Sequence, residues 1–170
     1  MKTNILYKVM MLAMMAVVVM TFTACGGDDD EEIAPPVKPN GYTYVEPYLK
    51  WGSLKTDVKT SMTSSGWNLV TDANYLVYRS ADRTIEQLYT FSEGTSELVS
   101  ARVEYKKYTE DYWQWLVKET EKRYGVTFTI EETDATTGGD TVPAVIGGKQ
   151  VKLTVMKLDG YMFVKYSLNL

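Results

Sequence analysis

The chain has 170 residues, 45% hydrophobic and 24% charged, with a formal net charge of −4, a length and composition typical of one globular domain. It has no histidine and one cysteine, Cys25, which excludes Ser-His-Asp and Cys-His catalysis, zinc sites of His and Cys, and an internal disulfide. Lys2, Lys8, Lys38 and five acidic residues precede Gly41, leaving 15 basic against 17 acidic residues beyond it, so the positive footprint that nucleic acid requires is missing.

In chain order, Met1–Lys8 is a short basic stretch, and Val9–Phe22 (VMMLAMMAVVVMTF) is apolar. About 14 residues at ~1.5 Å each reach roughly 21 Å, short of the ~30 Å hydrocarbon core. The pattern predicts a secretory signal peptide over residues 1–24, against the alternative of an uncleaved anchor. Phe22-Thr23-Ala24-Cys25 resembles the lipobox of bacterial lipoproteins, with Phe22 where leucine is commoner. The resemblance implies that the Cys25 sulfur carries a diacylglyceryl group and that the new amino terminus is acylated. Several acyl chains anchor a protein durably where one does not.

Gly26-Gly27-Asp28-Asp29-Asp30-Glu31-Glu32 is too charged to fold. It resembles the acidic run that follows the lipidated cysteine in lipoproteins of Bacteroidota and directs them to the outer face of the outer membrane. A plain solvated spacer in the periplasm is the alternative. Ile33–Asn40 holds three of the five prolines and reads as a stiff linker. Residues 25–40 are therefore expected to be a lipidated tether and residues 41–170 the folded domain.

Within that domain a helix is expected after Ser53, with Leu54, Val58 and Met62 at i, i+4 and i+8. A stronger one is expected over 110–124, capped by Thr109 and closed by Gly125. Its inward face should carry Trp113, Leu116, Val117, Thr120 and Tyr124, leaving Tyr112 and Trp115 off that face. Strands are predicted over 67–71, 75–79, 84–91, 97–105, 126–131, 141–146, 150–158 and 161–168. Gly147-Gly148 and Asp159-Gly160 mark tight hairpins. The fold class is α+β, an antiparallel sheet with helices on one face. Val58-Lys59, six residues and Gly66 echo Val117-Lys118, six residues and Gly125. Two α-then-four-strand pseudo-repeats, with halves 41–107 and 108–170, are thus one reading; an α+β domain without internal symmetry is the other.

Glu46-Pro47, Trp51-Gly52, Val58, Met62, Leu76, Tyr78, Tyr89, Phe91 and Leu98 resemble a pattern in Bacteroidota lipoproteins of unknown function. Those in turn resemble the small α+β modules of the β-lactamase-inhibitor and outer-membrane assembly lipoprotein (SmpA/OmlA) type. The resemblance implies a fold and, loosely, a binding or scaffolding role; it carries over no site residue.

Thirteen tyrosines and four tryptophans are many for this length. Trp67, Tyr112 and Trp115 are candidate ligand contacts, because rigid aromatics stack on sugar rings and anchor protein partners; the alternative is that they pack helix onto sheet. The adjacent acids Glu110-Asp111 and Glu131-Glu132 read as solvated surface. Asp134–Asp140 (DATTGGD) reads as a flexible hairpin tip without the acidic ladder of a calcium loop. Asp140-Thr141-Val142 fits a short O-glycosylation sequon of exported Bacteroidota proteins, at Thr141. The expectation is a non-enzymatic, lipid-anchored outer-membrane module with no cofactor and no metal. Its partners would be the membrane, through the anchor, and an unidentified protein or glycan, whether at the cell surface or as a periplasmic inhibitor or assembly partner.

Overall fold

The computed structural model describes residues 41–134 and 136–169; the signal peptide, Cys25 and the tether expected over 25–40 lie outside the described residues. A first helix, α1 (Lys55–Ser64), precedes strands β1 (Asn68–Asp72), β2 (Tyr75–Arg79), β3 (Ile85–Phe91) and β4 (Leu98–Lys106). A second, α2 (Glu110–Tyr124), precedes β5 (Glu131–Asp134), β6 (Thr137–Ile146), β7 (Lys149–Leu158) and β8 (Tyr161–Leu168). The strands form one sheet in the order β1-β2-β3-β4-β8-β7-β6-β5, with every neighbouring pair antiparallel. The fold is α+β. Each run of four strands is a meander, and β4 and β8 meet at the centre.

Local chemistry explains most boundaries. In α2, the Thr109 hydroxyl accepts from the Tyr112 N–H at 3.2 Å, Glu110 and Asp111 occupy the first turn, Lys122 and Arg123 the last, and Gly125 closes the helix, each favourable for the helix dipole or its free ends. In α1 the Asp57 carboxylate accepts from the Leu54 N–H at 3.1 Å. Val58 and Met62 turn inward as expected, but Leu54 precedes the helix and is 49% exposed. Gly147 and Gly148, at φ 59° and 74°, make the left-handed two-residue turn that matches the twist of β6 and β7.

Two expectations are corrected. Residues 126–130 are not a strand: β5 begins only at Glu131, and β6 starts at Thr137, four residues before the expected 141. Gly138 and Gly139 are not at a flexible tip; they pair with Lys157 and Met156 inside β6. A Cβ on Gly139 would lie 2.5 Å from the Val155 carbonyl oxygen. Two glycines that look like a loop here let two strands approach closely.

The core lies between the helices and one sheet face. Leu76, Tyr78, Gln87, Tyr89, Val103, Tyr105, Leu153, Val155, Met162, Val164 and Tyr166 line that face at 0–1% exposure, at alternating positions of their strands. Val58 and Met62 of α1 and Trp113, Trp115, Leu116 and Val117 of α2 belong to the same cluster. Each fully buried leucine, such as Leu76 or Leu153, contributes about 1.5–3 kcal/mol relative to exposure.

Residues 41–51 have no strand or helix pairing, yet they are strapped to this core by tyrosine hydroxyls. The N–H groups of Thr43, Val45 and Tyr48 donate to the hydroxyls of Tyr112, Tyr105 and Tyr89 at 3.1, 3.0 and 3.0 Å. Tyr44 and Tyr166 share a 2.7 Å hydrogen bond, Tyr124 donates to Glu46, and the Trp51 indole donates to the Ile146 carbonyl at 3.0 Å. An irregular segment packed on an apolar core must find partners for its backbone donors; tyrosine supplies a hydroxyl at the end of a ring that is itself core. Burial pushes the hydroxyls of Tyr89, Tyr105 and Tyr166 well above the ordinary tyrosine range.

Candidate functional site

Among the described residues, the second face of the sheet carries no helix. The registers align its outward rows: Val77, Leu88, Arg102, Lys165, Thr154 and Thr141 in one, and Tyr75, Thr90, Ser100, Ser167, Lys152 and Pro143 in the next. A third runs Arg79, Glu86, Glu104, Phe163 and Met156. An open depression of about 400 Å³ is lined by Tyr75, Val77, Glu86, Leu88, Thr90, Arg102 and Glu104.

Charge on this face is organised around two carboxylates. Glu86 binds Arg79 at 2.5 Å and Lys106 at 3.3 Å. Glu104, 7% exposed, binds Lys106 at 2.5 Å and also Arg102. Burial opposes ionisation of Glu86, but Arg79 and Lys106 outweigh it and hold its carboxyl below the usual range. Burial likewise opposes the Lys106 charge, and Glu104 and Glu86 raise it on balance. The charged stems also cover two aromatic rings. The Arg102 guanidinium lies 5.3 Å from the Phe163 ring centre and the Lys106 ammonium 5.0 Å from that of Tyr161. Phe163 is thereby only 7% exposed on this face.

A second concavity, about 520 Å³, runs beside α2 over Trp113, Val117, Phe128 and Ile130, with Glu110, Glu121 and Glu132 at its rim. At one end lies Lys157, its side chain 2% exposed and its ammonium capped by Glu110 at 3.1 Å and Glu132 at 2.8 Å, both half-exposed. Burial opposes its charge, and the two carboxylates more than restore it, leaving its pKa above the usual lysine value.

The candidate residues read from the sequence are not gathered in one place. Trp115 is 8% exposed and packs tilted against Tyr42 and Tyr112 at 5.9 Å. Tyr112 stacks on Tyr42 at 4.4 Å and donates to the Thr43 carbonyl at 2.7 Å. The strap passes over α2 and widens its buried arc beyond the helical stripe, which is why Trp115 is inward. Trp67 is half-buried against the core. Thr141 is exposed on β6, its hydroxyl 2.9 Å from that of Thr154. Of the adjacent acids, Glu110 and Glu132 converge on Lys157, a pairing that spacing along the chain does not show.

Sequence reasoning missed the outward rows of β4 and β8 and the buried Lys157. A signal existed for both: Phe163 interrupts an otherwise polar alternation, and Lys157 continues the apolar parity of Val151, Leu153 and Val155. Among the described residues, no group of three or more His, Cys, Asp or Glu is placed to hold a metal ion. Compared with known proteins, the chain matches no family model, and no curated protein and no solved structure is significantly similar to it.

Proposed function

We propose that the chain is a non-enzymatic binding or interaction module, tethered through Cys25 to the outer membrane and displayed at the cell surface, and that the sheet face opposite α1 and α2 is the binding surface. One observation carries the reading. Helices and strap cover one face of an eight-stranded sheet, while the other presents a row-ordered mixture of rings, cations and hydroxyls around a depression. The anchor rests on Phe22-Thr23-Ala24-Cys25 and the surface address on Asp28–Glu32. The helix-then-four-strand order of residues 41–107 and 108–170 supports a pseudo-repeat in which each half contributes one side of the face.

The test uses the full chain in detergent micelles on an array of neutral and acidic glycans, together with cross-linking in intact cells. Thr90→Trp, which fills the depression, should abolish binding, while Gln114→Trp in the α2 groove should leave it intact. Loss in the Gln114 variant alone moves the site to α2, and absence of any ligand by both methods overturns the module reading. Digestion of the domain by a protease too large to cross the outer membrane tests its display; survival until lysis would place it in the periplasm.

A further inference from the structure

We infer that Arg102, Lys165 and Lys152 form a binding site for the carboxylate or sulfate groups of an acidic polysaccharide. The inference rests on the proposal that the open face is the binding surface, and it names the ligand class. The β4–β8 register sets Arg102 directly opposite Lys165, an arrangement of like charges that destabilises a sheet. Lys165 faces Thr154 on its other side, and Lys152 faces Ser167, which in turn faces Ser100. Three cations and three hydroxyls therefore share two adjoining rows.

Of the three, Arg102 shares Glu104 with Lys106, and among the described residues the two lysines are left without an acid. The carboxylate of Glu86 is taken by Arg79 and Lys106, and that of Glu104 by Lys106 and Arg102. Among the described residues Lys165 and Lys152 have no acidic partner, and Arg102 Nε makes no hydrogen bond. Over β2, β3, β4, β8 and β7 the outward rows hold Arg79, Arg102, Lys106, Lys152 and Lys165 against Glu86 and Glu104 alone. An external anion would offset the repulsion that the register imposes.

The same residues favour a polysaccharide over a protein. Protein interface centres are depleted in lysine and serine and anchored by buried aromatics, whereas lysines, serines and threonines occupy this centre. Hydroxyl side chains match sugar hydroxyls, and the cations match the acid groups. Beside Arg102, the depression offers Tyr75, 42% exposed, with Val77 and Leu88 as an apolar floor for the face of a sugar ring.

The test measures binding of the full chain in detergent micelles to polygalacturonate and to heparin, with dextran, polyglutamate and duplex DNA as comparison arms. An acidic polysaccharide should bind, about tenfold more weakly after Lys165→Glu and with little change after Lys165→Arg. Lys165→Glu should also raise the melting temperature by about 2 °C, since it replaces a repulsive pair by an attractive one; a merely structural lysine would show a fall. Failure of both acidic polysaccharides to bind, or binding indifferent to Lys165→Glu, overturns the inference. So does equal binding to polyglutamate or DNA, which would show a surface without sugar chemistry. Binding of dextran or of a protein that Thr90→Trp abolishes and Lys165→Glu spares would defeat this inference while leaving the binding-module proposal standing.

Discussion

Replacing Lys157 by methionine, and separately replacing Glu110 and Glu132 together by glutamine, should have very unequal effects on stability. The lysine side chain is 2% exposed, while those of Glu110 and Glu132 are 51% and 54% exposed. The desolvation cost therefore falls almost wholly on the ammonium. Lys157→Met removes that cost and keeps the volume of the stem; the two carboxylates return to water, where screened pairs contribute about 1 kcal/mol or less each. The net change should be within about 1 kcal/mol of zero, or stabilising. Glu110→Gln with Glu132→Gln leaves the ammonium buried beside neutral acceptors, at a cost of about 3 kcal/mol, a large fraction of the 5–15 kcal/mol typical of a whole domain. Urea unfolding followed by circular dichroism reads both as shifts in midpoint at constant slope. If Lys157→Met lost as much stability as the double variant, the account of Lys157 as a buried charge that the carboxylates compensate would be wrong.

Four further outcomes follow from the packing. Trp115→Ala should cost about 3–5 kcal/mol, read as a lowered melting temperature; an effect under 1 kcal/mol would mean that Trp115 is not core. Tyr105→Phe and Tyr89→Phe should each cost about 1 kcal/mol and speed amide exchange selectively at Val45 and Tyr48, the donors they release. Gly139→Ala should cost about 1–3 kcal/mol, because its Cβ would meet the Val155 carbonyl; a neutral result would refute the close approach of β6 and β7. Stability should fall above about pH 10. Burial raises Tyr44, Tyr89, Tyr105 and Tyr166 above their unfolded values, and Lys157 is also raised on balance. All are protonated in both states at lower pH. Above the unfolded tyrosine value near 10 the unfolded chain loses protons that the folded one keeps, so stability declines by about 1.4 kcal/mol per pH unit for each tyrosine. A urea midpoint that is flat from pH 9 to 11 would contradict this.

Local chemistry in the sequence determined the elements whose signals are short-range. The Thr109 cap, the acidic first turn and Gly125 bound α2, and Gly147-Gly148 marked a hairpin. The absence of histidine and the single cysteine narrowed the chemistry before any coordinates. Tertiary structure decided what depends on contacts between distant residues. Gly138-Gly139 reads as a loop until β7 is beside it, and Trp115 reads as off-face until residues 41–51 lie over α2. Tyr112 reads as a candidate ligand contact until the Thr43 N–H of that strap is seen to need its hydroxyl. The rows of the open face come from the β4–β8 register, which joins residues about sixty positions apart. No local pattern encodes that register, because the pairing of two strands is set by how both pack on a shared core.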